Sequence, residues 1–233
     1  MGMVSSAPIA ATPMAFVQAI VAAYVRAGRD PSAALAQAQI APAQLQQADA
    51  RITAWQMERI SELAMRELDD EALGWFRRRL PWGSYGMLAR ASLSAPTLAL
   101  AIKRWCRHHG LIAEDITLTL QTSGSTASIG IAEHRDLGAL REFCLVSVLR
   151  NILGLACWLV DSRIPLLQAQ FPFDAPPHAE AYSVLFSGPT RFGQAQAAIN
   201  FDAQYLQLPL RRDEKAMQQM LQHALPLLSL IHI

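Results

Sequence analysis

The sequence predicts an α+β fold in which a helical N-terminal half packs with an antiparallel β-sheet and a long buried helix. Three observations carry this. Apolar residues recur at helical spacing through the first half, the period switches to two at Asp115, and a nearly all-round apolar run follows from Leu137 to Val160. No alternating strand-helix-strand run occurs, which disfavours a parallel sheet.

Residues 1–13 are rich in Ala, Ser and Pro without period and read as a disordered leader. Met14, Val17, Ile20, Val21 and Tyr24 then share one helical face, and Gly28 stands where a glycine closes a helix. Asp30 and Pro31 restart a helix as cap and first residue. Thr53 and Gln56 have capping-box spacing, with Ile52 and Met57 as a hydrophobic staple, so a helix begins at Ala54. The acidic run Asp69-Asp70-Glu71 is expected to break that helix and supply an acidic first turn to a short one.

Pro81 to Gly86 is rich in turn residues, and Ser94-Ala95-Pro96-Thr97 opens a helix expected to run to His109 and close at Gly110. Arg107, His108 and His109 then lie in its last turn, where the helix dipole favours cations. Ile116, Leu118 and Leu120, the turn Ser123-Gly124-Ser125, and Ala127, Ile129 and Ile131 form a hairpin. Leu166–Phe173, Thr190–Phe201 and Tyr205–Leu210 are expected as strands, and Ala179–Phe186 as a short helix ended by Gly188. Asp213 caps a final amphipathic helix through Met217 and Met220.

Composition narrows the function. The 233 residues are 52% hydrophobic and 17% charged, against roughly 25% charged in an average soluble protein, which favours a large core or a partner-binding surface. A formal net charge of +1 supplies no basic field for holding nucleic acid. Cys106, Cys144 and Cys157 have neither disulfide nor zinc-site spacing, so the chain is expected to be cytoplasmic, with no metal and no cofactor. Phe143–Val160 is apolar enough to suggest a membrane span, but Arg150 and Asn151 at its centre argue for a buried helix instead.

Phosphate-loop, nucleophile-elbow, zinc-protease and EF-hand patterns are absent, which favours binding over catalysis. The vicinal Cys106, Arg107, His108 and His109 point roughly 100° apart in succession and cannot converge on one metal. Arg150 within an apolar helix requires a partner, either a carboxylate (Glu133, Glu142 or Asp161) or an anionic ligand. Trp82, Tyr85, Trp105, His108, Arg150 and Trp158 are therefore the expected lining of a small-molecule effector pocket. It would lie between the 82–85 break, the 105–108 helix end and the long helix, beneath the sheet.

Gly83-Ser84-Tyr85-Gly86-Met87-Leu88 followed by Ser94-Ala95-Pro96-Thr97-Leu98-Ala99-Leu100-Ala101-Ile102-Lys103-Arg104-Trp105 resembles the N-terminal arabinose-binding-like domain of AraC-type transcription regulators. Trp158–Leu166, Pro177–Tyr182, Leu185–Pro189 and Tyr205–Leu210 extend the match in order from about Phe16 to His223. The resemblance implies an effector-sensing and dimerisation domain, occupying residues 14–227, a homodimer, and DNA contact only through a C-terminal helix-turn-helix domain that is missing here. Leu228–Ile233 resembles the in-frame translation of a sequencing adapter, so the tail is expected to be an artefact of a truncated gene.

Overall fold

A computed structural model describes residues 10–47 and 49–222. Strand β1 (Ala10–Pro13) pairs antiparallel with β2 (Arg51–Thr53), and the two bracket α1 (Met14–Arg26) and α2 (Ser32–Gln37). Ala10–Pro13, expected within the leader, is thus a strand; Thr12 and Pro13 are drawn into the core beside Met14. The remainder of that leader and the 228–233 tail lie outside the described residues.

Gly28 takes φ +65° and its amide reaches back to Val25, closing α1 as its sequence requires. Asp30 Oδ1 accepts from the Ser32 amide at 3.0 Å at the start of α2. In α3 (Ala54–Leu68) the capping box is complete. Gln56 N donates to Thr53 Oγ1 at 3.2 Å and Thr53 N to Gln56 Oε1 at 3.0 Å, while Ile52 and Met57 are both buried.

Helices α4 (Ser84–Leu93) and α5 (Leu98–Ile112) follow, packed on each other. Gly110 does not close α5. It lies within the helix on its exposed side, and the end comes at Ala113, whose amide bonds the His109 carbonyl as the chain extends toward the sheet. The cost of a helical glycine, about 1 kcal/mol, is outweighed by the buried residues on either side.

The expected hairpin is present as β3 (Ile116–Ser123) and β4 (Thr126–Glu133), paired from Ile116 opposite Glu133 to Ser123 opposite Thr126. A 3-10 turn at Gly138–Leu140 leads into α6 (Arg141–Val160), buried along almost its whole length. The window Gly138–Val160 is long and apolar enough to cross a membrane, with mean hydropathy 2.0, but 94% of it is buried within the fold. Next come β5 (Leu166–Gln170), α7 (Tyr182–Leu185), β6 (Thr190–Arg191), β7 (Ala197–Asp202) and α8 (Glu214–Gln222).

Among the described residues the larger sheet has the order β3-β4-β7-β5-β6, antiparallel except for the short β5–β6 pair. Helix α5 lies against β3 and α6, and α6 against β7, so α6 is the centre of the core.

The late strands differ from expectation for local reasons. The predicted 190–201 strand is split at Gly193, where φ is +65°. Residues 205–210 are not a strand, because the Asp202 carboxylate accepts from the Gln204 amide at 2.8 Å and starts a 3-10 turn over Ala203–Gln207. Asp213 caps α8 through the Ala216 amide, as its spacing predicts.

Thr53→Ala removes the side-chain half of the α3 cap and is expected to cost about 1 kcal/mol in urea unfolding with an unchanged m-value.

Candidate effector site

The acidic run Asp69-Asp70-Glu71 opens no helix. Residues 72–80 instead form a turn-rich loop, and the three carboxylates are its anchors. Asp70 Oδ1 accepts from the amides of Ala72 and Leu80, both at 3.0 Å, and Oδ2 from that of Gly74 at 2.8 Å. Asp69 accepts from the Trp82 amide at 3.0 Å. Glu71 accepts from Gly83 at 2.8 Å and Tyr85 at 2.7 Å, supplying from a distance the N-terminal cap that Gly83 has no side chain to make.

Asp70 and Glu71 are buried, since a loop that enters the core must satisfy its amides from within. Burial pushes the Glu71 carboxyl above its usual range, opposed by the two amides it accepts from. The loop's far side is held by Asp115, also buried, which accepts from the Arg77 amide at 2.6 Å and its Nε at 3.1 Å.

Pinned in this way, the loop buries Trp75 against Phe143 of α6 and Phe76 against His109 of α5. Helix α5 buries Leu98, Ala101, Ile102, Trp105, Cys106 and His109, one helical face, so His109 rather than His108 shares Trp105's side. The rings form a connected layer. Tyr85 lies nearly parallel to Trp105 at 5.8 Å and 6.1 Å from His109; Phe76 meets His109 edge-on at 6.1 Å; Trp75 meets Phe143 of α6 edge-on at 5.2 Å.

Within this layer, Tyr85 Oη, Trp75 Nε1 and both ring nitrogens of His109 are buried with no hydrogen-bond partner among the described residues. Buried polar atoms are nearly always paired, so four unpaired ones on three rings of one layer make this layer the candidate for contact with a polar molecule. A cleft of about 90 Å³, lined by Phe76, Arg77, Arg78 and residues 111–115, opens beside Phe76 at the end of α5.

The layer carries no ready reagent. Burial pushes the His109 imidazole down to about 4, the Cys106 thiol up to about 12, and the Cys144 thiol and Tyr85 phenol well above their ordinary values. Among the described residues no group of three or more His, Cys, Asp or Glu side chains is placed to hold a metal ion.

Of the predicted lining residues, Tyr85 and Trp105 come together here. His108 is half-buried one position off the buried face, its Nδ1 without a partner. Trp82 is 37% exposed, with the Arg66 guanidinium 4.8 Å from its ring centroid. Trp158 is half-buried beneath Arg212, at 5.6 Å.

Arg150 is buried and turned toward another segment, donating Nη1 to the Leu185 carbonyl; burial brings its guanidinium down to about 10. Each of the three carboxylates expected as its partners holds other side chains. Glu133 holds Arg141 through two bonds of 2.7 Å, Glu142 accepts from His178 and Tyr182 at 2.7 Å each, and Asp161 pairs with Arg212. Near Arg150, a cleft of about 40 Å³ lies between Leu153 and Cys157 of α6 and Leu185 and Ser187.

Sequence reasoning missed Trp75, Phe76 and His109. The spacing of four between Trp105 and His109 was the available signal for the last; nothing short of the Asp70 anchoring places the first two.

The family described as "Arabinose-binding domain of AraC transcription regulator, N-term" matches residues 28–210, and the chain belongs to it. It is 23% identical over 209 residues to the ornithine utilization regulator of Pseudomonas aeruginosa, covering 89% of this chain and 62% of that protein. A crystal structure of the transcriptional regulator CdpR from Pseudomonas aeruginosa matches 85% of this chain and 62% of its own, with 17% identity and a TM-score of 0.45. The chain thus spans less than two thirds of the length of either.

Asp70→Ala leaves three buried amides without an acceptor and is expected to cost about 3 kcal/mol or more, read as a lowered urea midpoint with loss of the near-ultraviolet tryptophan signal. His109 titrates near 6.5 when unfolded and about 4 when folded, so the unfolded chain binds the extra proton between those values. Stability is therefore expected to fall by up to about 3 kcal/mol as pH drops from 6.5 to 4. His109→Phe should flatten that part of the profile in urea titrations at stepped pH.

Proposed function

We propose that the chain is the effector-sensing and dimerisation part of a cytoplasmic AraC-type transcription regulator, and that the effector is a small molecule bound in the Trp75–Phe76–Tyr85–Trp105–His109 layer. The observation that carries the site is the set of unpartnered buried polar atoms on adjoining rings. Binding would bias how the sensing domain presents its neighbours, a population shift whose size is set by the ligand's differential affinity for two states.

In this reading DNA is contacted through a helix-turn-helix domain outside the 233 residues, in keeping with the net charge of +1. Exposed Val25, Trp55, Met87, Leu111 and Leu167 supply apolar surface for a homodimer. Neutral His109 and the raised thiols of Cys106 and Cys144 favour binding over turnover.

The test is a melting-temperature screen of a metabolite panel, in which ornithine is included because of the relative's name. A true effector raises the melting temperature with concentration as mass action dictates. Tyr85→Phe, which deletes one hydroxyl, is expected to weaken that effector about tenfold, and Trp82→Phe to leave it unchanged. Equal loss in both variants, or in neither, would place binding elsewhere.

A further inference from the structure

We propose that the cleft at the end of α5 binds the head group of a small zwitterion whose ammonium and carboxylate share one carbon, as in a free α-amino acid. The site stands apart from whatever enters the aromatic layer. Two segments of chain make its walls. Phe76, Arg77 and Arg78 of the pinned loop form one, and Leu111 to Asp115, the end of α5 and the residues before β3, form the other. Arg77 and Asp115 hold each other. That leaves one exposed charge of each sign, Arg78 on the loop wall and Glu114 on the other, and neither makes an ion pair or side-chain hydrogen bond among the described residues.

Opposite charges brought to one place elsewhere in the fold pair directly, as Arg141 does with Glu133 and Arg212 with Asp161. Here they stand on different walls, and a molecule between them with its carboxylate toward Arg78 and its ammonium toward Glu114 answers both. The helix end favours the same orientation. The carbonyls of Gly110, Leu111 and Ile112 accept no hydrogen bond among the described residues, so the negative pole of α5 is open on the Glu114 side and attracts a cation.

The size suits a head group and little more. The cleft holds about 90 Å³, against about 150 Å³ for a cavity that takes benzene, which is room for an ammonium, an α-carbon and a carboxylate. Phe76, Ile112 and Ala113 give it apolar lining. Leu111, also in the lining, is 70% exposed and offers apolar surface that an aliphatic side chain leaving the cleft would cover.

The probes are L-norvaline, N-acetyl-L-norvaline, which has no ammonium, and L-norvalinamide, which has no carboxylate. Each is titrated calorimetrically into the 233-residue chain at neutral pH and low salt. Norvaline is expected to bind about fivefold more tightly than either blocked form, the scale of one exposed ion pair. Arg78→Gln should bring norvaline down to the affinity of the amide and leave the amide unchanged. Glu114→Gln should bring it down to that of the acetyl derivative and leave that derivative unchanged. Both residues are exposed, so both variants keep the fold. Tyr85→Phe, which alters the aromatic layer alone, should change none of the three. Equal affinity of the three probes, indifference to both charge substitutions, or no binding of norvaline at millimolar concentration overturns the proposal. A loss in Tyr85→Phe that the charge variants do not share also overturns it, and supports the aromatic layer as the site instead.

Discussion

Much of this domain depends on two buried carboxylates, Asp70 and Glu71. Without an internal acceptor, a loop carrying the amides of Ala72, Gly74 and Leu80 into the core would leave donors unsatisfied at about 1–3 kcal/mol each. With Asp70 in place the loop is closed at both ends, and Glu71 ties its exit to the start of α4. The same few bonds hold Trp75 and Phe76 on one side and Tyr85 on the other.

This arrangement explains why an aromatic layer with unmet polar atoms can exist in a stable protein. The strain of keeping Tyr85, Trp75 and His109 unpartnered is carried by a scaffold that is otherwise well satisfied: α6 is buried on nearly every face, the hairpin is in full register, and α3 is capped at its start. Sites of this kind commonly keep local disadvantage where function needs it. Placing the layer against α6 also joins it to the centre of the core, which touches both α5 and the sheet.

Local chemistry was legible in the sequence wherever one residue acts on a near neighbour. The Thr53–Gln56 box, the Asp213 cap, the Gly28 stop and the hairpin turn at Gly124 all act within a few positions, and the structure has each of them. The long apolar helix was equally plain from its composition. What stayed hidden acts at a distance. Asp70 reaches Leu80, Glu71 reaches Tyr85 and Asp115 reaches Arg77 across ten to thirty-eight positions. For the same reason an acidic run looked like a helix start. Of the residues expected to line a pocket, the fold brings Tyr85 and Trp105 together, whereas Arg150, conspicuous for its charge, donates to the Leu185 carbonyl.

The central claim is that the effector enters the aromatic layer beneath the carboxylate-pinned loop. The five tryptophans give a direct reading, because each indole N–H has its own nitrogen-resolved NMR signal. On saturation with a bound ligand, the Trp75 signal should shift strongly and exchange more slowly with water as its N–H gains an acceptor, while exposed Trp55 and Trp82 stay in place. A bound ligand that moves Trp55, Trp82 or Trp158 and leaves Trp75 and Trp105 unchanged would contradict the account.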